Sequence, residues 1–208
     1  MSEPLWERTL KVTTAEQTHA LAAALGEVLE AGDLLVLTGE LGAGKTTFTQ
    51  GLGEGLGVRA GIISPTFVLV RIHPNLPDGP RPGGPDLVHV DAYRLDSAAE
   101  IDDIDLENTM DTAVTVVEWG RDRVEHLSDS RLEVELHRAV GGGASAGAVT
   151  DDVLDFDSDD DDEPRTIVFR GYGPRWADEP RPLATAGQAD TQEKTPHTRE
   201  ITDVDPGH

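Results

Sequence analysis

The 208-residue chain contains no cysteine, few aromatic residues and few bases. The absence of cysteine excludes disulfide frameworks, thiol nucleophiles and cysteine-ligated zinc or iron–sulfur sites. Its 17 Lys and Arg residues stand against 40 Asp and Glu residues, which gives a formal net charge of −23. Because such a charge repels phosphate backbones, nonspecific binding to nucleic acid or to an anionic membrane is disfavoured. We therefore expect any role in nucleic-acid chemistry to be indirect.

Long apolar runs are also missing from the sequence. No stretch approaches the roughly 20 apolar residues that a membrane-spanning helix needs. The first ten residues, MSEPLWERTL, lack the basic start and the apolar core of a signal peptide. The sequence therefore predicts a cytoplasmic protein with no membrane partner.

Composition divides the chain into four parts. The length allows one domain of roughly 100–200 residues, which we assign to residues 1–140. Residues 141–163 are predicted to form an acidic low-complexity linker, because nine acids and no base lie between Asp151 and Glu163. A short apolar patch predicts a returning strand within residues 164–173. The polar, proline-rich residues 174–208 are predicted to be a disordered tail.

Apolar spacing within residues 1–140 alternates between the helical and the strand pattern. Helical spacing covers residues 14–30 and 45–56, whereas strand-like apolar runs cover residues 34–37, 67–72, 87–90, 114–117 and 132–136. This alternation predicts an α/β fold, a three-layer sandwich around a central, mostly parallel sheet. Three glycines inside the second helix, Gly51, Gly53 and Gly55, predict that this helix packs closely on the sheet. The proline-rich residues 73–86 predict a loop between two strands.

The strongest motif in the chain is Gly39–Thr46, GELGAGKT, which lies between a buried strand and a helix start. Its spacing fits the P-loop pattern and makes the predicted sandwich P-loop NTPase-like. Glycines let backbone N–H groups turn inward around phosphates, and the helix N-terminus adds a partial positive charge. In such a loop Lys45 reaches the β- and γ-phosphates and the Thr46 hydroxyl ligates Mg²⁺. The alternative is a glycine-rich turn that caps a helix and binds no ligand.

Two later strands each end in an acid. Asp91 follows the apolar run Leu87–Val90, and Glu118 follows Val114–Val117. Ligands of open α/β sheets collect at the carboxyl ends of the strands, so both acids are expected to converge on the P-loop. Either acid taken alone is at least as consistent with a solvated strand end as with a metal site. Together with a P-loop, the pair favours a nucleotide site with a bound metal.

Four ordered motifs resemble those of the TsaE (YjeE) family. They are Thr38–Phe48 (TGELGAGKTTF), Ser64–Phe67 (SPTF), His89–Leu95 (HVDAYRL) and Val117–Trp119 (VEW). The resemblance covers about residues 10–137. That family is the small bacterial ATPase of tRNA threonylcarbamoyladenosine synthesis, so the resemblance implies ATP and Mg²⁺ as cofactors. It also implies TsaD and TsaB as protein partners, with tRNA contacted only indirectly.

The resemblance also implies a role for each matched residue. Lys45, Asp91 and Glu118 would be catalytic, and Thr46, Asp91 and Glu118 would be associated with the metal. Ser64–Thr66 would be a switch-like segment at the γ-phosphate. The nucleotide-binding set would comprise Gly39, Glu40, Leu41, Gly42, Ala43, Gly44, Lys45, Thr46, Thr47, Ser64 and Thr66.

Some alternatives stay open at the level of the sequence. Trp119 fits packing near the nucleotide and packing in the core equally well, and His89 fits a role beside the site or a plain core or surface position. A small-molecule or nucleotide kinase would share the P-loop, although the long loop 73–86 carries only one arginine, Arg81. A nucleotide-binding switch without turnover is the other alternative.

Overall fold

The computed structural model describes residues 3–65, 68–95, 98–102, 104, 106–138 and 164–192. The strands are β1 (Trp6–Val12), β2 (Leu34–Thr38), β3 (Val70–His73), β4 (Asp86–Asp91), β5 (Ala113–Glu118), β6 (Arg131–Arg138) and β7 (Arg165–Tyr172). The helices are α1 (Ala15–Gly26), α2 (Lys45–Leu56), α3 (Ala98–Asp102), α4 (Glu107–Met110) and α5 (Arg181–Gln192). Within these ranges, no helix has both the length and the apolar character needed to cross a membrane.

All seven strands form one sheet in the order β1-β7-β6-β2-β5-β4-β3. The inner strands β6, β2, β5 and β4 are parallel to one another, whereas β3, β7 and β1 join antiparallel at the two edges. The predicted α/β sandwich with a mostly parallel centre is confirmed. Because β2, β4, β5 and β6 run in the same direction, their carboxyl ends lie side by side at one end of the sheet. The predicted site residues lie at this end.

Apolar side chains cover both faces of the sheet centre. On one face, Phe48 and Leu52 of α2 and Leu25 of α1 pack against the strands, and on the other face Ile101 and Leu106 do so. On β6 and β7, the face of the sheet that carries Ile101 and Leu106 elsewhere is covered mainly by ionic side chains. Glu135 of β6 accepts hydrogen bonds from Arg121 at 2.9 Å and from Arg170 at 2.7 Å. These two guanidinium groups, Arg121 first, lower the pKa of Glu135 to about 2.

The sequence pattern did not reveal β1. This strand pairs with β7 along its whole length, from Trp6 opposite Gly171 to Val12 opposite Arg165. Leu10 and Val12 face the core, whereas Glu7, Thr9 and Lys11 are exposed. That period-two alternation was present in the sequence and would have identified an edge strand.

The prediction of a disordered tail from residue 174 onward is wrong for residues 174–192. A short 3-10 helix (Pro174–Trp176) and α5 follow β7 there. Trp176 and Leu183 are fully buried against the main core, and Arg175 forms a double hydrogen bond with the buried carboxylate of Asp33 at 2.8 and 2.9 Å. These two buried side chains, this ion pair and a second one between Arg8 and Glu179 attach a segment of polar composition to the domain. Residues 193–208, like the acidic stretch 141–163, lie outside the described residues.

The glycines of α2 pack mainly on a neighbouring helix, not on the sheet as predicted. A methyl group added at Gly51 would collide with the backbone carbonyl of His19 in α1, and one added at Gly55 would collide with that of Ala23. The third glycine, Gly53, faces the side chain of Ile62 instead. Glycine is needed at positions 51 and 55 because the backbones of α1 and α2 approach each other there.

We expect Gly55→Ala to lower the free energy of unfolding by roughly 1–3 kcal/mol. This loss would occur although alanine has a helix propensity about 1 kcal/mol better than that of glycine. The reason is that the added methyl group meets a backbone carbonyl, which cannot rotate away. Urea denaturation measures the change, and Gly53→Ala is the matched control, because the nearest atoms to its methyl group belong to the side chains of Ile62 and Val58 and not to the backbone. Equal effects of the two substitutions would contradict the assignment of the helix contact.

Candidate functional site

The P-loop has the backbone conformation that its glycines permit. Gly39, Gly42 and Gly44 have positive φ angles of 146°, 77° and 98°, which L-residues with side chains rarely adopt. A Cβ atom at Gly39 would also lie 2.5 Å from the carbonyl oxygen of Leu136. Gly44 is the N-cap of α2, so the loop delivers the chain directly into a helix N-terminus. Backbone N–H groups at such an end can bind a phosphate group.

Lys45 is buried at the start of α2. Its ammonium group donates hydrogen bonds to the carbonyl oxygens of Gly39 at 2.8 Å and Glu40 at 2.9 Å. Burial lowers the pKa of Lys45, and the negative charges of Glu118, Asp91 and Glu40 oppose this shift. The Lys45 ammonium group is thus held between the P-loop and two acids, where it can bind an anionic ligand.

Asp91 and Glu118 lie next to each other at the carboxyl ends of β4 and β5. They are register partners in the parallel pair, and only 4% and 3% of their surfaces are exposed. Asp91 accepts hydrogen bonds from the Ser64 hydroxyl at 3.2 Å and from the backbone N–H of Tyr93 at 3.0 Å. These contacts hold one carboxylate in a fixed position beside the P-loop.

The Glu118 carboxylate is oriented by a buried histidine. His89 lies two residues before Asp91 on β4, is fully buried, and places Nε2 2.9 Å from Oε1 of Glu118. Nδ1 of His89 has no hydrogen-bond partner in the part of the chain that the structure describes. A hydrogen on Nε2 therefore satisfies the ring best, because Nε2 then donates to the carboxylate. Of the open alternatives, the structure places His89 beside the site.

Trp119 also belongs to the site and not to the core. Its ring centroid lies 4.1 Å from the Lys45 ammonium nitrogen and 5.6 Å from the ring of Tyr93. The first distance is typical of a cation–π contact. Its backbone has a φ of 62°, a left-handed conformation that is costly for a residue with a side chain. This strained residue directly follows Glu118.

Most of the predicted site residues border a single pocket of about 350 Å³. It is lined by Leu41, Gly42, Gly44, Lys45, Thr46, Thr47, Ser64, Asp91, Glu118, Trp119 and Arg165. The remaining P-loop residues Gly39, Glu40 and Ala43 do not line it, although the first two hold Lys45. Thr66 lies outside the described residues. A larger groove of about 830 Å³ lies between β1, α1 and α5 and is mainly apolar, so the site is assigned by its chemistry and not by size.

One residue of the pocket, Arg165, was not among the predicted site residues. It is the first residue of β7 and follows the acidic stretch, outside all four motifs. No local signal identifies it, because its position depends on the pairing of β7 with β6.

The donor groups in this pocket fit Mg²⁺ bound together with phosphate. Within the described ranges no group of three His, Asp or Glu side chains could hold a metal without further ligands. Mg²⁺ commonly uses one or two carboxylates, with phosphate oxygens and water completing its coordination. The Asp91 carboxylate, held by Ser64, and the Thr46 hydroxyl on the pocket wall are ligands of that kind.

Comparisons with known proteins agree on one family. A family model described as "Threonylcarbamoyl adenosine biosynthesis protein TsaE" matches residues 12–142. The tRNA threonylcarbamoyladenosine biosynthesis protein TsaE of Streptomyces coelicolor is 48% identical, over 76% of this chain and 92% of its own length. The protein of the same name from Bacillus subtilis is 37% identical, over 62% of this chain and 77% of its own length. The crystal structure of Bacillus subtilis YdiB matches with a TM-score of 0.58 and 26% identity, over 89% of this chain and 97% of that one.

Proposed function

Because this chain belongs to the TsaE family of tRNA threonylcarbamoyladenosine biosynthesis, we propose that it is a Mg²⁺-dependent ATPase of that pathway. Its ATP hydrolysis would support threonylcarbamoyl transfer to adenosine 37 of tRNAs that read codons beginning with A. The observation that carries the proposal is the pocket in which the P-loop lysine, Lys45, faces the buried acids Asp91 and Glu118.

The P-loop side of the pocket binds the phosphates. Backbone N–H groups of residues 42–46 and the N-terminus of α2 surround the β-phosphate, and Lys45 reaches the β- and γ-phosphates. In doing so, the ammonium group exchanges its bonds to the Gly39 and Glu40 carbonyls for bonds to phosphate oxygens. Thr46 and Asp91 would hold Mg²⁺. The ion, when bound, would neutralise charge on the β- and γ-phosphates.

The acid side of the pocket positions the attacking water. Glu118 accepts a hydrogen bond from this water while His89 holds the other carboxylate oxygen. The water oxygen bonds to the γ-phosphorus, the bond to the β–γ bridging oxygen breaks, and the water proton passes to Glu118. Ser64 is hydrogen-bonded to Asp91, so it would respond to loss of the γ-phosphate and its metal, as a switch-like segment does.

Hydrolysis would drive a cycle of partner association and would not itself build the modified base. The proposed partners are TsaD and TsaB, in the cytoplasm. A net charge of −23 disfavours tight binding of tRNA by this chain alone. It suits docking on a basic or tRNA-binding partner, so the proposed contact with tRNA is indirect.

Product analysis tests the proposal. We expect the chain to release inorganic phosphate from ATP, with no phosphorylated metabolite, and to lose this activity when EDTA removes Mg²⁺. We also expect nucleotide-dependent association with TsaD and TsaB in a pull-down, and a changed rate of hydrolysis in their presence. A phosphorylated small molecule as product would favour the kinase, and ATP binding without turnover under every condition would favour the non-hydrolysing switch. If the pull-down shows no association with TsaD and TsaB that depends on nucleotide, the proposed partner cycle is refuted.

A further inference from the structure

Two arginines lie beside the P-loop on the side opposite the acids. Arg138 ends β6, Arg165 begins β7, and the two are register partners in the antiparallel pair. A methyl group added at Gly42 would lie 3.4 Å from Nη1 of Arg138, and one added at Gly44 would lie 3.5 Å from Nε of Arg165. The two side chains therefore reach the loop itself. Of the two, Arg165 lines the pocket.

The order of the strands determines which end of a nucleotide Arg165 faces. The P-loop strand β2 lies between β5 and β6. Glu118 and Asp91 end β5 and β4 on one side of it, and Arg138 and Arg165 lie on β6 and β7 on the other. If the γ-phosphate and its metal lie at the acids and the P-loop surrounds the β-phosphate, the α-phosphate lies towards β6 and β7.

We infer that Arg165 binds the α-phosphate of the nucleotide, as a second cation of the pocket in addition to Lys45. This inference rests on the proposed nucleotide binding and adds a residue to that site. A guanidinium group can donate two parallel hydrogen bonds to phosphate oxygens, a geometry that lysine cannot reproduce. The contact involves a phosphate that ATP and ADP share. It therefore contributes to binding before and after hydrolysis, and not to the transition state alone.

Calorimetric titration with ATP and with ADP tests the inference. We expect Arg165→Ala to weaken the binding of both nucleotides by a similar factor, roughly ten- to a hundred-fold. Arg165→Lys should recover only part of the lost affinity. Lysine keeps the positive charge, but it cannot donate two parallel hydrogen bonds to a phosphate. The kcat at saturating ATP should stay within about three-fold of the wild-type value, since uniform binding changes KM and not kcat.

Arg170→Ala is the matched control, because Arg170 lies on the same strand but bonds to Glu7 and Glu135 outside the pocket. We expect it to leave both affinities within about two-fold, and circular dichroism and thermal melts verify that each variant is folded. A fall in kcat with unchanged ADP affinity would overturn the inference and move Arg165 to the γ-phosphate. Unchanged affinities of folded Arg165→Ala and Arg165→Lys would overturn it as well. If the wild-type chain binds neither nucleotide, the proposed function itself is refuted.

Discussion

Glu118→Gln is expected to lower the kcat for ATP hydrolysis by roughly 10²–10⁴-fold, the usual contribution of a general base. Glutamine has the shape of glutamate and still accepts the hydrogen bond from His89 Nε2. It cannot take a proton from water, however. The affinity for ATP should change only a few-fold, because the bonds from the P-loop and Lys45 to the phosphates remain. Single-turnover phosphate release measures the chemical step, and equilibrium titration measures ATP binding.

Two results would change the role of Glu118. Full turnover by Glu118→Gln would show that this carboxylate accepts no proton in the reaction. A large rise in the Mg²⁺ concentration needed for half-maximal activity, with kcat restored at high Mg²⁺, would make Glu118 a metal-associated acid instead. Glu54→Gln is the control, because the same substitution on an exposed carboxylate of α2 should leave the rate unchanged.

The centre of the site could be predicted from the sequence because its residues follow local patterns. Gly39–Thr46 carries its own spacing, and Asp91 and Glu118 each follow a buried apolar run. The parallel pairing then brings these two acids into register. Each step needs only one strand or helix and the rule that ligands bind at the carboxyl ends of strands.

The edges of the fold and of the site depend on contacts between distant residues, so the sequence did not reveal them. Arg165 reaches the P-loop only because β7 pairs with β6, across the acidic stretch. The segment after β7 has a composition typical of disorder, yet Trp176 and Leu183 are buried in the main core. Composition averages over a segment, whereas its order here depends on particular long-range contacts, namely these two buried side chains and the ion pairs of Arg175 with Asp33 and of Glu179 with Arg8.

The P-loop lysine is expected to produce the other large effect. Lys45→Ala should weaken ATP binding by about 2–5 kcal/mol, the usual cost of truncating one partner of a buried charge pair. This loss corresponds to a Kd raised roughly 30-fold to several-thousand-fold. The substitution removes the cation that faces the phosphates and leaves Asp91 and Glu118 to repel them. Hydrolysis should become undetectable at ATP concentrations that saturate the wild-type chain.

The loss should be one of binding and not of folding. Within the described residues, the Lys45 ammonium group hydrogen-bonds to the backbone carbonyls of Gly39 and Glu40 and contacts Trp119. Burial lowers the pKa of Lys45, and the charges of Glu118, Asp91 and Glu40 oppose this shift, so the cost of burying the cation offsets its attraction to these acids. Thermal melts should therefore stay close to those of the wild-type chain. Lys11→Ala, the same change on an exposed residue of β1, is the control and should bind ATP normally. ATP binding that survived Lys45→Ala in a folded protein would show that the P-loop does not hold the phosphates, and the proposed mechanism would fail with it.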